Sequence, residues 1–411
     1  QVILCASPNV TSIVDKWEFF NTRDEALSKE LTKTYKEFLE QKVKEDITPS
    51  YNSPLRNFKL ILTVKIGGKE KVSPLFSDIF KLNVKSFTQI FKKEKSDEEI
   101  ENDRKINNLE LRKKYLDLLT IKSQLAGSLR QAGLAPEHIK PNELIKFYYE
   151  VLNQNHDFRD TPKWDGSDFN NFLFANDNTV EVKSKEIICD KKYIKTLSVK
   201  EYPENWKFGD IIKYTGDILT NQNHTTPFII TMNIKKLNDS EGKDKIFRSA
   251  AATNSQQMPY SLFPKLRLIH KDLNYGMDKL QKGAVPYYFT MQIAIYGEDS
   301  EQVNTSFGRT KSYFKTLSFG LEEDNYVVLP ALLSMLPLGY DSTIQEFLGK
   351  ERGRVVFAEN IAELMPVAGE FLGQKMQVPL VSAKGQLFGI DLFANKAGGF
   401  YNTPKCQDNF F

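Results

Sequence analysis

The alternation of apolar and polar positions predicts strands at four places. Within residues 58–66, Phe58, Leu60, Leu62, Val64 and Ile66 occupy every second position, so one face is apolar. Gly67-Gly68 follows at once and suits a tight hairpin turn that needs positive φ. Residues 228–234 repeat the pattern with Phe228, Ile230, Met232 and Ile234. Residues 287–295 do so with Tyr287, Phe289, Met291, Ile293 and Ile295, and residues 193–199 supply a fourth strand.

Helical spacing accounts for most of the remainder. Residues 24–44 place Leu27, Leu31, Tyr35, Phe38 and Leu39 on one side, and Thr48-Pro49-Ser50 closes the segment. Residues 92–108 are almost wholly polar and read as an exposed helix start or a connector. Leu111, Tyr115, Leu118, Leu125, Leu129 and Ala132 then follow steps of four and three, with Lys122 interrupting the seam. This predicts an amphipathic helix that ends at Gly133 and packs on the chain's own core, with a partner helix as the alternative. A second helix follows Pro141, and another covers about 299–317. Strands and helices alternate irregularly, with hairpin signals and no short repeat. The expected class is α+β, a mixed domain of antiparallel strands and amphipathic helices.

Composition narrows the function. The 411 residues carry 56 basic and 53 acidic side chains, a net +3 that provides no electrostatic case for nucleic-acid binding. Aromatic residues make up 12%, so most of the chain should fold. Cys5, Cys189 and Cys406 are far apart and form no CxxC pair, which argues for a reducing compartment and against a disulfide framework or zinc. The most apolar stretch, residues 327–338, is too short to cross ~30 Å of hydrocarbon and holds two prolines. The expectation is a soluble or peripheral protein.

Candidate chemistry is sparse. His138, His156, His224 and His270 stand apart from one another and from the cysteines, and read as surface or loop residues. Glu98-Glu99 and Glu322-Glu323 lie in charged runs and read as solvated acids. A phosphate loop needs GxxxxGK followed by Ser or Thr, so that backbone N–H groups, a Lys and a hydroxyl surround phosphates and Mg²⁺. Gly68-Lys69, Gly242-Lys243 and Gly349-Lys350 are each followed by an acid, which would repel phosphate. We therefore expect no catalytic, nucleotide-binding or metal residue in the chain, and no cofactor.

The last third bears a resemblance. Leu329-Pro330-Ala331-Leu332-Leu333-Ser334-Met335-Leu336-Pro337-Leu338-Gly339-Tyr340 resembles a segment of the TraC-type conjugation ATPases. Met365-Pro366-Val367-Ala368-Gly369-Glu370-Phe371-Leu372-Gly373 is similar to a second such segment. Residues 379–393, containing Ala383-Lys384-Gly385-Gln386, resemble a strand pair of the family, with Lys384 in place of its usual Arg. Gly398-Gly399-Phe400-Tyr401-Asn402 is similar to the lead-in to the phosphate loop, Phe400 departing from the pattern. Earlier likenesses are Arg56-Asn57-Phe58-Lys59-Leu60, residues 119–153 and residues 196–203.

The resemblance implies a division at 1–365 into a TraC-like N-terminal domain, divisible near 92–110 or 240–260. Residues 366–402 would be the first strands of a RecA-like ATPase domain, and 403–411 an unrelated tail left by a frameshift or insertion. It also implies a component or remnant of the ATPase of F-type pilus assembly and type IV secretion, cut before its phosphate loop. Such a chain docks on channel proteins from the cytoplasmic side of the bacterial inner membrane and leaves room for a homo-oligomer. ATP and Mg²⁺ would belong to the full-length family only. A self-sufficient enzyme of unknown type and a retained structural subunit stand as alternatives.

Overall fold

The computed structural model describes residues 1–20, 26–48, 51–65, 97–237, 244, 264–340, 352–367 and 378–390, the side chains of 20, 48, 51–52, 97–111 and 264–270 excepted. Strand β1 (Val2–Ser7) opens the fold, followed by helices α1 (Thr11–Phe20) and α2 (Ala26–Gln41). Strands β2 (Asp46–Thr48), β3 (Tyr51–Pro54) and β4 (Asn57–Leu62) precede a 35-residue helix, α3 (Asp97–Gln131). Helix α4 (Pro141–Leu152) leads through short turns to β5 (Val180–Val182), β6 (Ile187–Cys189) and β7 (Lys192–Glu201). A 3-10 segment (Phe208–Thr215) and the small pair β8 (Gly216–Asp217) and β9 (Gln222–Asn223) come before β10 (Phe228–Lys236). Next are α5 (Pro264–Gln281), β11 (Tyr287–Gly297), α6 (Ser300–Thr316), β12 (Gly320–Glu323) and α7 (Val328–Met335). Last come β13 (Arg354–Val356), α8 (Ala358–Leu364) and the hairpin β14 (Val378–Val381) with β15 (Leu387–Ile390).

Nine of these strands form one sheet in the order β4-β1-β10-β11-β7-β6-β5, with β12 also on β7 and β13 on β11. Every pairing in it is antiparallel, as the period-2 patterns anticipate. The register sets Met232 opposite Met291 and Ile230 opposite Ile293, so the predicted apolar faces of β10 and β11 coincide. That face packs against Val303, Phe307 and Phe314 of α6, Ile361 and Leu364 of α8, and Tyr214. The other face carries Ile3, Cys5, Ile229 and Ala294, covered by Phe147, Tyr148 and Val151 of α4 and by Leu332 and Met335 of α7. The fold is thus mixed α and β on an antiparallel sheet clad on both sides, which agrees with the α+β expectation.

Local rules explain the covering helices. Pro141 begins α4 where its missing N–H is harmless, and the Glu143 carboxylate accepts from the Lys140 N–H at 2.7 Å. Asp299 caps α6, its Oδ1 accepting from the Gln302 N–H at 2.7 Å. Gly297 joins β11 to this cap, and a Cβ there would lie 2.7 Å from the Val303 nitrogen. In α7, Pro330 falls in the first turn and Pro337 lies just beyond the end, so neither interrupts the helix. The apolar stretch 327–338 is therefore a core element. Its C-terminal carbonyls are met by the Thr231 hydroxyl on Met335 (2.9 Å) and the Gln1 amide on Ser334 and Leu336 (3.0 Å each).

A smaller cluster joins the chain's distant parts. Val10, Val14 and Trp17 of the α1 region pack with Leu39, Leu55 and Leu387. The Tyr35 hydroxyl donates to the Pro379 carbonyl at 2.7 Å, and the Arg56 N–H donates to the Gly385 carbonyl at 2.8 Å. Gly385 has φ +83° and a Cβ there would sit 2.2 Å from the Pro54 oxygen, so both turn and packing require glycine. The hairpin β14–β15 accordingly lies against the N-terminal helices.

Two expectations need correction. Strand β4 ends at Leu62 and is at the edge among the described strands; Leu60, Leu62 and Val64 of its apolar stripe remain exposed while Ile61 is the buried residue. An edge strand has one neighbour, and the helices that cover this face lie over the sheet's centre. Over residues 112–124 the helix α3 does not pack on the core, every one of them being exposed, while Leu125 and Leu129 are half-buried. The hairpin turn expected at Gly67-Gly68 and the tail 403–411 lie outside the described residues.

Candidate functional site

The residues singled out for chemistry do not converge. His138 is exposed, and the side chain of His270 is outside the described set. His156 stands between two carboxylates, Nδ1 2.9 Å from Asp190 and Nε2 2.8 Å from Asp177, which raises its pKa above the ordinary value. Glu322 pairs with Lys200, and Glu323 lies 3.4 Å from Lys195, so this acidic pair is engaged in strand contacts. Cys5 and Cys189 are buried free thiols, each pushed up to about 12 by burial, and hence unreactive. The three Gly-Lys pairs and Cys406 lie outside the described residues. Among the described residues no cluster of His, Cys, Asp and Glu could hold a metal ion.

His224 is a loop residue, within the surface-or-loop expectation, but it is not a solvated one. Its ring packs 4.2 Å from Phe228, and burial lowers its pKa to about 4. Its Nε2 is 3.0 Å from the Tyr214 carbonyl, which can only accept, so Nε2 carries the proton. Nδ1 is then the acceptor for Thr310 Oγ1 at 3.4 Å.

Thr310 opens onto a cleft. It has room for about 350 Å³ and lies between the 221–226 segment and α6. Ser306, Arg309, Thr310, Tyr313 and Thr316 reach it at steps of three, one, three and three, one side of the helix. Asn221, Gln222, Asn223 and Thr225 form the opposite wall. No described carboxylate lines it, and Arg309 has no ion-pair partner among the described residues. The Asn223 amide is shielded from solvent with neither its oxygen nor its nitrogen hydrogen-bonded.

The second feature is the seam of α3. Tyr115 is 59% exposed, Leu116 61%, Leu118 40%, Leu119 40% and Ile121 36%. None of residues 112–131 forms an ion pair or side-chain hydrogen bond with another described element. A soluble chain rarely leaves a contiguous apolar strip in water unless something binds there.

Against known families, the model described as TraC protein matches residues 1–340. The chain belongs to the TraC family. It is thus a protein of conjugative transfer, as the resemblance implies. No curated protein matches it. The family match takes in the Leu329 to Tyr340 segment, both sides of the cleft and all of α3, and stops before the likenesses at 365–373 and 379–402. No described helix of this TraC-family chain is long and apolar enough to cross a membrane.

The cleft escaped sequence reading because its walls are some eighty residues apart. A helix face of Ser, Arg, Thr, Tyr and Thr looks like any solvated surface until the 221–226 loop is set against it. Its only local signal was Asp299, which fixes where α6 begins and so which side chains share a face.

Proposed function

We propose that this TraC-family chain is the docking module of a conjugative type IV secretion and pilus-assembly ATPase. The observation that supports it is the apolar seam of α3, left in water while the sheet's two faces are covered. The partner is an inner-membrane channel protein, and the chain works in the bacterial cytoplasm, peripheral to that membrane through this contact. In this reading residues 366–402 lead into a RecA-like ATPase domain. No GxxxxGK[ST] occurs among the 411 residues, so ATP and Mg²⁺ chemistry is not expected of this chain.

The seam's spacing supports a second reading. Leu111, Tyr115, Leu118, Lys122, Leu125, Leu129 and Ala132 follow the four-three steps of a coiled coil, with a single polar residue of the kind that fixes register. A second copy of the chain would fit such a face.

Photo-crosslinking from position 118 in conjugating cells separates the possibilities. Adducts with an inner-membrane channel protein are expected, and adducts with a second copy favour the self-pairing reading. Adducts no stronger than those from Lys113, elsewhere on the helix, would sink the docking assignment.

A further inference from the structure

We propose that the cleft between α6 and the 221–226 segment binds a phosphoryl group, with Arg309 as its counter-ion. The argument begins from charge. Arg309 is exposed, unpaired among the described residues, and set on a wall without carboxylates. A guanidinium so placed recognises oxyanions through two parallel N–H···O bonds. Asp217, beside the 221–226 segment in sequence, is already occupied by the Leu219 N–H and the Thr220 hydroxyl, both at 3.0 Å.

Hydrogen-bond accounting supplies the remaining donors. Thr310 gives its proton to His224, Thr316 donates to the Tyr313 carbonyl at 2.7 Å, and the Tyr313 hydroxyl donates to Lys213 at 2.7 Å. These three hydroxyls are spent as donors. Thr225 and Ser306 lie 3.3 Å apart, and only one of them donates in that contact, so one hydroxyl proton remains free. The Asn223 amide nitrogen has no acceptor at all. That nitrogen is shielded, so the donors available to the cleft are Arg309 and one hydroxyl of the Thr225–Ser306 pair. A phosphoryl group, with several acceptor oxygens and a negative charge, satisfies them together. A carboxylate has only two oxygens for the same set.

His224 adds discrimination in one direction. Half-buried and neutral, it contributes no positive charge at neutral pH and serves to hold Thr310. The charge of the site thus resides in Arg309. None of the described lining residues is aliphatic, so a polar ester fits the cleft better than an acyl chain does. The expected ligand is a soluble phosphate ester rather than a lipid headgroup.

The test titrates the whole chain with inorganic phosphate, glycerol 3-phosphate and acetate by calorimetry at low salt. A parallel arm measures flotation with phosphatidylglycerol-containing and pure phosphatidylcholine vesicles. Saturable binding of the phosphate species is expected. Arg309→Gln should weaken it roughly tenfold or more, while Lys311→Gln, a neighbouring charge outside the cleft, should leave it unchanged. Both sites are exposed, and matching thermal melts verify that the variants fold. Binding to phosphatidylglycerol vesicles alone, lost in Arg309→Gln, would keep the phosphoryl site and assign its source to the membrane. The proposal is overturned if no phosphate species or anionic vesicle binds saturably. It is equally overturned if acetate binds as tightly, or if Arg309→Gln behaves like Lys311→Gln.

Discussion

The central strands and the long helix α3 are both amphipathic, yet they treat their apolar faces in opposite ways. On β10 and β11, Ile230, Met232, Phe289, Met291 and Ile293 are wholly buried. On α3, Tyr115, Leu116 and Leu118 lie open to water. Both patterns announce that a surface will be covered. Only the strands find their cover within the described chain, because hydrogen bonding to neighbours on both sides holds their faces beneath α6 and α8. A helix satisfies its backbone internally and can therefore extend without a neighbour. Exposure is thus affordable to a helix in a way it is not to a central strand, and it marks α3 as the place where a second molecule would add most.

The strongest way to test the buried half is at Asp324. Its carboxylate is buried, accepts from Ser198 Oγ at 2.8 Å and is paired with Arg352. Burial raises its pKa, and Arg352 opposes that rise. Arg352→Met should cost about 3–5 kcal/mol in urea unfolding, because it strands a charge in the interior. A loss under about 1 kcal/mol would mean that water reaches the site.

Ile293→Ala, in the middle of β11, should cost about 2–5 kcal/mol by the same measurement. A smaller loss would show that the sheet's core relaxes around the missing atoms, and the contrast with α3 would shrink.

The two partnered histidines should give pH dependences of opposite sign. His224 titrates at about 4 in the folded chain against an ordinary 6.5, so the unfolded chain takes the proton first. Its contribution is complete above about 6.5 and is lost as pH falls toward 4. Thermal melts across that window should show a slope that His224→Phe removes; an unchanged slope refutes the burial.

His156 is raised by its hydrogen bonds to Asp190 and Asp177, so its contribution is complete below the ordinary histidine value and fades as pH rises through the raised one. The effect should be smaller, since Asp177 is largely exposed and screened. Nuclear magnetic resonance of the imidazole protons checks it directly. A midpoint at or below the ordinary value would contradict the two carboxylate contacts.

The smallest effect belongs to α3. Leu118→Ala should change the stability of the isolated chain by less than about 0.5 kcal/mol. A cost above about 1 kcal/mol would show that the helix packs on its own chain in solution, and the comparison with the strands would fail.

Much of the fold was legible because it follows from local rules. The strands at 193–199, 228–234 and 287–295, the helix after Pro141 and the helix over about 299–317 all emerged where alternation, proline and helical spacing placed them. Strand β1 and helix α5 were passed over. The run Val2-Ile3-Leu4-Cys5-Ala6 is apolar on both sides, since both faces of the sheet are covered, and such a run has no period to read. The cleft and the burial of His224 were illegible for a different reason, because each needs α6 set against the 221–226 loop.

By itself, then, the sequence determined which faces were apolar, where helices could begin and end, and the TraC kinship carried by the order of its segments. Those are properties of neighbours along the chain, governed by backbone geometry and by the spacing of side chains. Tertiary structure alone decided which apolar faces would be covered, that β4 would lie at an edge among the described strands, and that Arg309 would stand without a described partner over a cleft. Burial and electrostatic pairing depend on groups brought together from remote positions, and a period of two or 3.6 residues holds no information about what arrives from elsewhere.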